Sequence, residues 1–198
     1  MKSIALTGTI GSGKSACSAY LNQIGYAVFD CDKECHQFLE IDGVLYQKVI
    51  DLLGTEIIGH DGQIDRKKVA SIIFGNPSLK KEYEQMFHIE LKHLLEQQIK
   101  ENKSLYFAEV PLLYETGFEK LFDEVWLIWC DEETAIERCM KNRGMSEAQV
   151  IERIRTQMST EEKKKRADVL LENNGAVEQL YHQIDLALKE LKHHGSLR

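Results

Sequence analysis

Gly8, Gly11, Gly13, Lys14 and Ser15 fall in the string LTGTIGSGKS, and their order, G-x-x-x-x-G-K-S, suits the binding of an anion. Glycines let successive backbone N–H groups curl around phosphate oxygens with no Cβ in the way. Gly8, Gly11, Ser12 and Gly13 are therefore candidate cradle residues, with Ala16 closing the run. Lys14 supplies one positive charge for terminal phosphates, and the Ser15 hydroxyl can ligate Mg²⁺. The loop works only between a buried strand and a helix N-terminus, whose partial positive charge adds to the attraction. The flanks predict both: Ser3–Thr7 is a short apolar run, and Lys14–Ile24 is rich in helix formers and stops at Gly25. The chain is expected to bind a nucleoside triphosphate.

Two further stretches carry candidate chemistry. In VFDCDKE, Asp30 and Asp32 are two apart and would share one face of an extended chain. Near a triphosphate, such a carboxylate can hold metal-bound water or accept the proton of an attacking hydroxyl. An acceptor that is already a phosphate needs no base, so this pair favours an alcohol acceptor. An aspartate at a strand end is also an ordinary helix cap, and for Asp30 the two readings stand equal. In YFAEVPLLYETG, Glu109 lies where a Walker B acid would, able to reach Mg²⁺ through water or to serve the structure alone. Leu112, Leu113 and Tyr114 read as an apolar shelf beside Glu115, suited to a substrate with a greasy arm and a polar head.

The elements that must position these residues follow from pattern. Ser3–Thr7, Ala27–Asp30, Leu105–Val110, Val125–Cys130 and Val169–Leu171 read as buried parallel strands alternating with helices. The expected fold is α/β: a three-layer α/β/α P-loop arrangement with a five-stranded parallel sheet and ligands at the carboxyl ends of the strands. Residues 33–102 are helical in pattern, with a turn at Asp61-Gly62 and a helix capped by Asp65, and read as an inserted substrate subdomain. Residues 131–167 read as a lid, with Asp131 as a cap and Ser146 and Gln149 as a capping box. The nucleotide core is then 1–32, 103–130 and 168–198, in one domain of 198 residues. The lid's basic run, through KKKR at 163–166, suits either a solvated helix face or a mobile cover for phosphates.

Composition narrows the partners. With 25 basic and 32 acidic residues the net charge is −7, which disfavours non-specific binding to nucleic acid or an anionic membrane. Five scattered cysteines give no disulfide framework. Cys31, Cys35 and His36 lack a fourth ligand at a metal-site spacing and read as ordinary thiols. No apolar run approaches a membrane span, and the N-terminal apolar run is too short for a signal peptide. The expected location is cytoplasmic, with no obligate protein partner evident. The tail KELKHHGSLR reads as an exposed, fraying helix end.

Taken together and in order, LTGTIGSGKS, the Asp-x-Asp at 30–32, DGQIDRKKVASIIF at 61–74, VPLLYETG at 110–117, RIRTQM at 153–158 and RADVLLENNG at 166–175 resemble the dephospho-CoA kinase family along nearly the whole chain. The resemblance implies ATP and Mg²⁺ as donor and the ribose 3′-hydroxyl of dephospho-CoA as acceptor. It implies that Gly11 to Ala16 wraps the ATP phosphates, that Lys14 spreads γ-phosphate charge and that Asp32 orients or deprotonates the hydroxyl. It implies that Asn173 to Gly175 passes the adenine, and that His36, His88, Leu112, Leu113 and Glu115 attend the acceptor. Four positions depart from the family pattern. Ala16 replaces a usual threonine, and His36 a usual arginine. His88 lacks its following proline, so the long helix there should run unbroken. Asn142-Arg143 replaces the lid's usual Arg-Asp, and Arg143 is expected to reach the β/γ-phosphates from its shifted position. The rival readings are another small-molecule kinase, acting on a nucleoside or nucleotide, and a non-catalytic P-loop module.

Overall fold

The structure, a computed structural model, describes residues 2–195. The reading of the tail therefore falls in part on 196–198, outside the described residues. In chain order the elements are β1 (Ser3–Thr7), α1 (Lys14–Gln23), β2 (Val28–Asp30), α2 (Cys31–Gln37), α3 (Tyr46–Leu53), α4 (Arg66–Phe74) and α5 (Pro77–Glu101). They continue with β3 (Tyr106–Glu109), α6 (Leu113–Thr116), β4 (Glu124–Trp129), α7 (Glu132–Arg143), α8 (Glu147–Arg155), α9 (Thr160–Arg166), β5 (Val169–Glu172) and α10 (Val177–Gly195). The chain separates into two compact units: Asp30–Glu101, and the segments on either side of it.

The flanking unit is built on the sheet, whose strand order is β2-β3-β1-β4-β5. β1 pairs in parallel with β3 and β4, and β4 with β5. Alternation along the strands sends Ile4, Leu6, Phe107, Trp126, Ile128 and Leu171 to one face, where Cys17 and Leu21 of α1 and Leu180, Ile184 and Leu188 of α10 cover them. Ala5, Ala108 and Leu127 of the other parity are fully buried too, so both faces are covered, as a parallel sheet requires. At the β5 edge Gln183 of α10 accepts from the Glu172 N–H (2.9 Å) and donates to its carbonyl (2.8 Å), doing what a neighbouring strand would. The five strands and the α/β class agree with the sequence reading.

In the unit Asp30–Glu101, Asp65 caps α4 by accepting from the N–H groups of Lys67 and Lys68, and Gly62 turns at φ 80° just before it. α5 runs unbroken for 25 residues through His88, as the missing proline predicts. Val49, Leu53, Ile57, Val69, Leu91 and Leu95 are buried.

Two lid expectations divide. Ser146 and Gln149 form the full capping box of α8. Asp131 takes the N-cap position of α7, but its side chain caps nothing. Its backbone N–H is instead taken by the Asn174 side chain at 2.8 Å, which fixes the helix start from β5's far end.

Candidate active site

β1 delivers the chain to the glycine loop, and α1 begins at Lys14 with Gly13, which has no side chain to cap it, as N-cap at φ 102°. The first N–H groups of a helix are natural donors for an anion. Glycine at 13 is obligatory twice over: the backbone is left-handed, and a Cβ there would lie 2.0 Å from Asn173 Nδ2. That same Nδ2 donates to the Ser12 carbonyl at 2.8 Å, so a residue after β5 braces the loop from beneath. At Gly11 a Cβ would meet the Ala135 carbonyl of α7 at 2.6 Å, so α7 packs directly on the loop backbone. Lys14 Nζ arches over the loop to the carbonyls of Gly8 (2.8 Å) and Thr9 (3.1 Å). Ser12 is fully buried, and its hydroxyl has no hydrogen-bond partner among the described residues.

Ser15 is exposed on the first turn of α1, and Ala16, half-buried behind it, spends its N–H on the Gly13 carbonyl at 3.0 Å. Glu109 lies on the sheet face that α1 covers, and its Oε2 accepts from Ser18 Oγ at 2.6 Å. These are hard oxygen donors without a cage: no cluster of three metal-binding side chains occurs among the described residues. The set fits a Mg²⁺ that keeps most of its water and takes its remaining ligands from phosphate.

The Asp30–Asp32 turn differs from the sequence reading. Asp30 is the N-cap of α2, its carboxylate accepting from the Lys33 N–H at 3.0 Å, so the ordinary capping role is filled. The helix therefore starts at Cys31, and Asp32 sits in its first turn. The two aspartates do not share a face of extended chain, because a helix turns ~100° per residue. Asp32 and His36 are exposed on α2. The His36 carbonyl accepts from the Arg66 guanidinium at 3.4 Å, and His88 is exposed on α5. Burial pushes the Cys35 thiol up to about 12, with the carboxylates of Asp32, Glu34 and Asp30 adding to it. Burial likewise raises the Tyr83 phenol to about 12, with Arg66 pulling the other way.

The shelf after β3 needs correction. Leu113 is fully buried and Tyr114 nearly so, and only Leu112 is exposed. The four-residue helix α6 turns them into the core. Glu115 points to the lid segment, where it accepts from the Met158 N–H at 2.7 Å and lies 3.2 Å from Lys163 Nζ. The KKKR run is split: Lys165 is solvated, and the other three dock on protein. Lys163 is completely buried, Lys164 sits 3.4 Å above the Trp129 ring, and Arg166 bonds Glu119 at 2.6 Å while stacking on Tyr114.

In α7, Arg143 ends the helix and is exposed, before Gly144 at φ 62°. Arg138, one face earlier, donates to the Asn173 carbonyl at 2.7 Å. In sequence Arg138 is one of several basic residues of 131–167, and neither its bond to Asn173 nor the brace from Asn173 to Ser12 is legible there. Gln157 has no role in the sequence reading, though the R-x-x-x-Q-M spacing marks it. Its Oε1 accepts from the Ile10 N–H at 3.0 Å. Asn174 and Gly175 border an open cavity of about 560 Å³, lined also by Glu178 and His182.

The family profile described as dephospho-CoA kinase matches residues 2–179. A dephospho-CoA kinase of Carboxydothermus hydrogenoformans is 38% identical over 193 residues, covering 96% of this chain and 94% of the relative. Among solved structures, one from Thermus thermophilus is 34% identical at a TM-score of 0.83, covering 96% of this chain and 97% of its own. A dephospho-CoA kinase from Campylobacter jejuni is 26% identical at a TM-score of 0.73, covering 98% of each chain.

Proposed function

The chain belongs to the dephospho-CoA kinase family, and from that premise we propose that it moves the γ-phosphoryl group of ATP to the ribose 3′-hydroxyl of dephospho-CoA, giving coenzyme A and ADP. The observation that carries the donor half is the start of α1. It follows a left-handed Gly13 that has no side chain to cap it, and Lys14 Nζ bends over the loop. A phosphate chain there would replace the carbonyls of Gly8 and Thr9 as partners of the ammonium. The buried Ser12 hydroxyl is a further polar atom within the same loop.

In this reading Lys14 and the loop amides draw charge from the transferring group, which is most of what phosphoryl transfer asks of a protein. Ser15 would hold Mg²⁺ directly, and Glu109 through water. Asp32 is the remaining candidate for the acceptor's proton, or for a water of the Mg²⁺ shell. The metal, when bound, neutralises β- and γ-phosphate charge. Arg143 adds a guanidinium from the end of α7, and the 173–175 turn borders the adenine. On the acceptor side, Asp32, His88 and Leu112 keep the roles that the family resemblance implies, His36 stands where the family has an arginine, and Glu115 is engaged by Met158 and Lys163. Leu113 contributes through the core instead. The five free cysteines fit a reducing compartment, and we place the reaction in the cytosol.

A coupled ADP-release assay with dephospho-CoA, adenosine and AMP as acceptors tests the assignment. Turnover should depend on dephospho-CoA. Comparable or faster release with adenosine or AMP would replace this reading with the nucleoside or nucleotide kinase, and ATP binding with no acceptor-dependent turnover would make the chain a binding module.

A further inference from the structure

Ile10 stands in the phosphate loop but does nothing that phosphate needs. It is 7% exposed, and its side chain forms a small apolar cluster with Cys139 of α7 and Val150 of α8, edged by Ile136, Met145 and Ile154. This cluster is separate from the sheet core and joins α7 to α8. One of its three buried residues is thus lent by the loop. The Ile10 backbone is engaged as well, its N–H given to Gln157 Oε1 at 3.0 Å just beyond the end of α8.

Gln157 is itself held from the far side. The next residue, Met158, gives its N–H to Glu115 at 2.7 Å, and the same carboxylate oxygen lies 3.2 Å from the buried Lys163 ammonium. Arg166 touches the Met158 sulfur at 3.7 Å and bonds Glu119. The C-terminal end of α8 is therefore fixed to the segment after β3, while its body rests on Ile10. A displacement of the loop backbone at residue 10 has to be met by the hairpin that carries Arg138, Lys141, Arg143, Arg153 and Arg155. The alternative is to break both the cluster and the hydrogen bond.

We propose that Ile10 and Gln157 are positioning residues that couple occupation of the phosphate loop to the α7–α8 hairpin. Closing of the loop on a triphosphate and ordering of the basic hairpin are then one event. This rests on the loop binding ATP. The coupling is carried by a continuous apolar contact and one hydrogen bond, and a ligand that favours one loop geometry must favour the matching hairpin geometry.

Hydrogen–deuterium exchange of residues 147–155, read with and without saturating ATP and Mg²⁺, tests this, with ATP affinity measured separately by calorimetry. In the unaltered protein ATP should slow exchange across α8 at least 5-fold. In Gln157→Leu, at its own saturating ATP, the slowing should fall below 2-fold. Gln157→Glu keeps an oxygen acceptor and should recover most of the response. If Gln157→Leu does not fold, Ile10→Val, which trims one methyl from the cluster, carries the same comparison. An α8 response that is absent in the unaltered protein although calorimetry shows ATP bound would overturn the coupling. So would a response of equal size in the variants. Absence of ATP binding by the unaltered protein would remove the donor assignment itself, and the coupling with it.

Discussion

The phosphate loop and the turn at Asp30–Asp32 each join a strand to a helix, but the forces that hold them differ in range. The loop is shaped from far along the chain: Asn173 braces Ser12, Gln157 takes the Ile10 N–H, and Ala135 abuts Gly11. In the aspartate turn Asp30 accepts from the Lys33 N–H, three residues away. Half of the loop's residues are glycine, which makes its conformation costly in chain entropy, and distant side chains help to hold it. The aspartate turn has a capping residue of its own.

That difference can be attacked at both ends. The largest effect belongs to Asp32. If it serves the acceptor hydroxyl, Asp32→Asn should lower kcat by roughly 10²–10⁴ while ATP affinity stays near normal. Steady-state kinetics beside ATP calorimetry decide this, and parallel loss of ATP binding would assign Asp32 to the Mg²⁺ shell. Next comes the brace. Asn173→Ala leaves the Ser12 carbonyl buried without its partner, a loss of about 1–3 kcal/mol in denaturant unfolding. It should also raise KM for ATP, through the loop carbonyl that Asn173 holds. An unchanged KM would mean that the loop holds its shape unaided. Arg143→Ala should slow turnover more than 10-fold if the exposed end of α7 reaches the phosphates, and near-normal turnover removes that role. The smallest effect is local: Asp30→Ala should cost about 1 kcal/mol of stability, the usual worth of an N-cap, with little change in KM for ATP. A loss of several kcal/mol there would show that the aspartate turn too is held from a distance.

Much of the fold was legible because its signals are short-range. Each strand is a brief apolar run, the capping box of α8 is written in residues 146–149, and the missing proline after His88 predicts an unbroken α5. The failures share a cause. Asp30 was open between two roles, and a hydrogen bond from Lys33 settled it as a cap, which turned Asp32 onto a helix. Leu113 and Glu115 were read as a surface for substrate. The turn at α6 buries the first, and the second meets Lys163, 48 positions later. The KKKR run looks the same in sequence whether solvated or docked. Only the placement of Trp129, Tyr114 and Glu119 beside it decides which of its residues are docked.

The amino-acid sequence alone determined the class of the fold, the phosphate loop and the family, because these depend on spacing and backbone freedom within a few residues. Tertiary structure alone decided which side chains brace that loop and which basic residues remain exposed. The loop braces lie 147 and 161 positions away and the docked basic residues meet partners 35 to 48 positions away, distances over which periodicity and local preference carry no information.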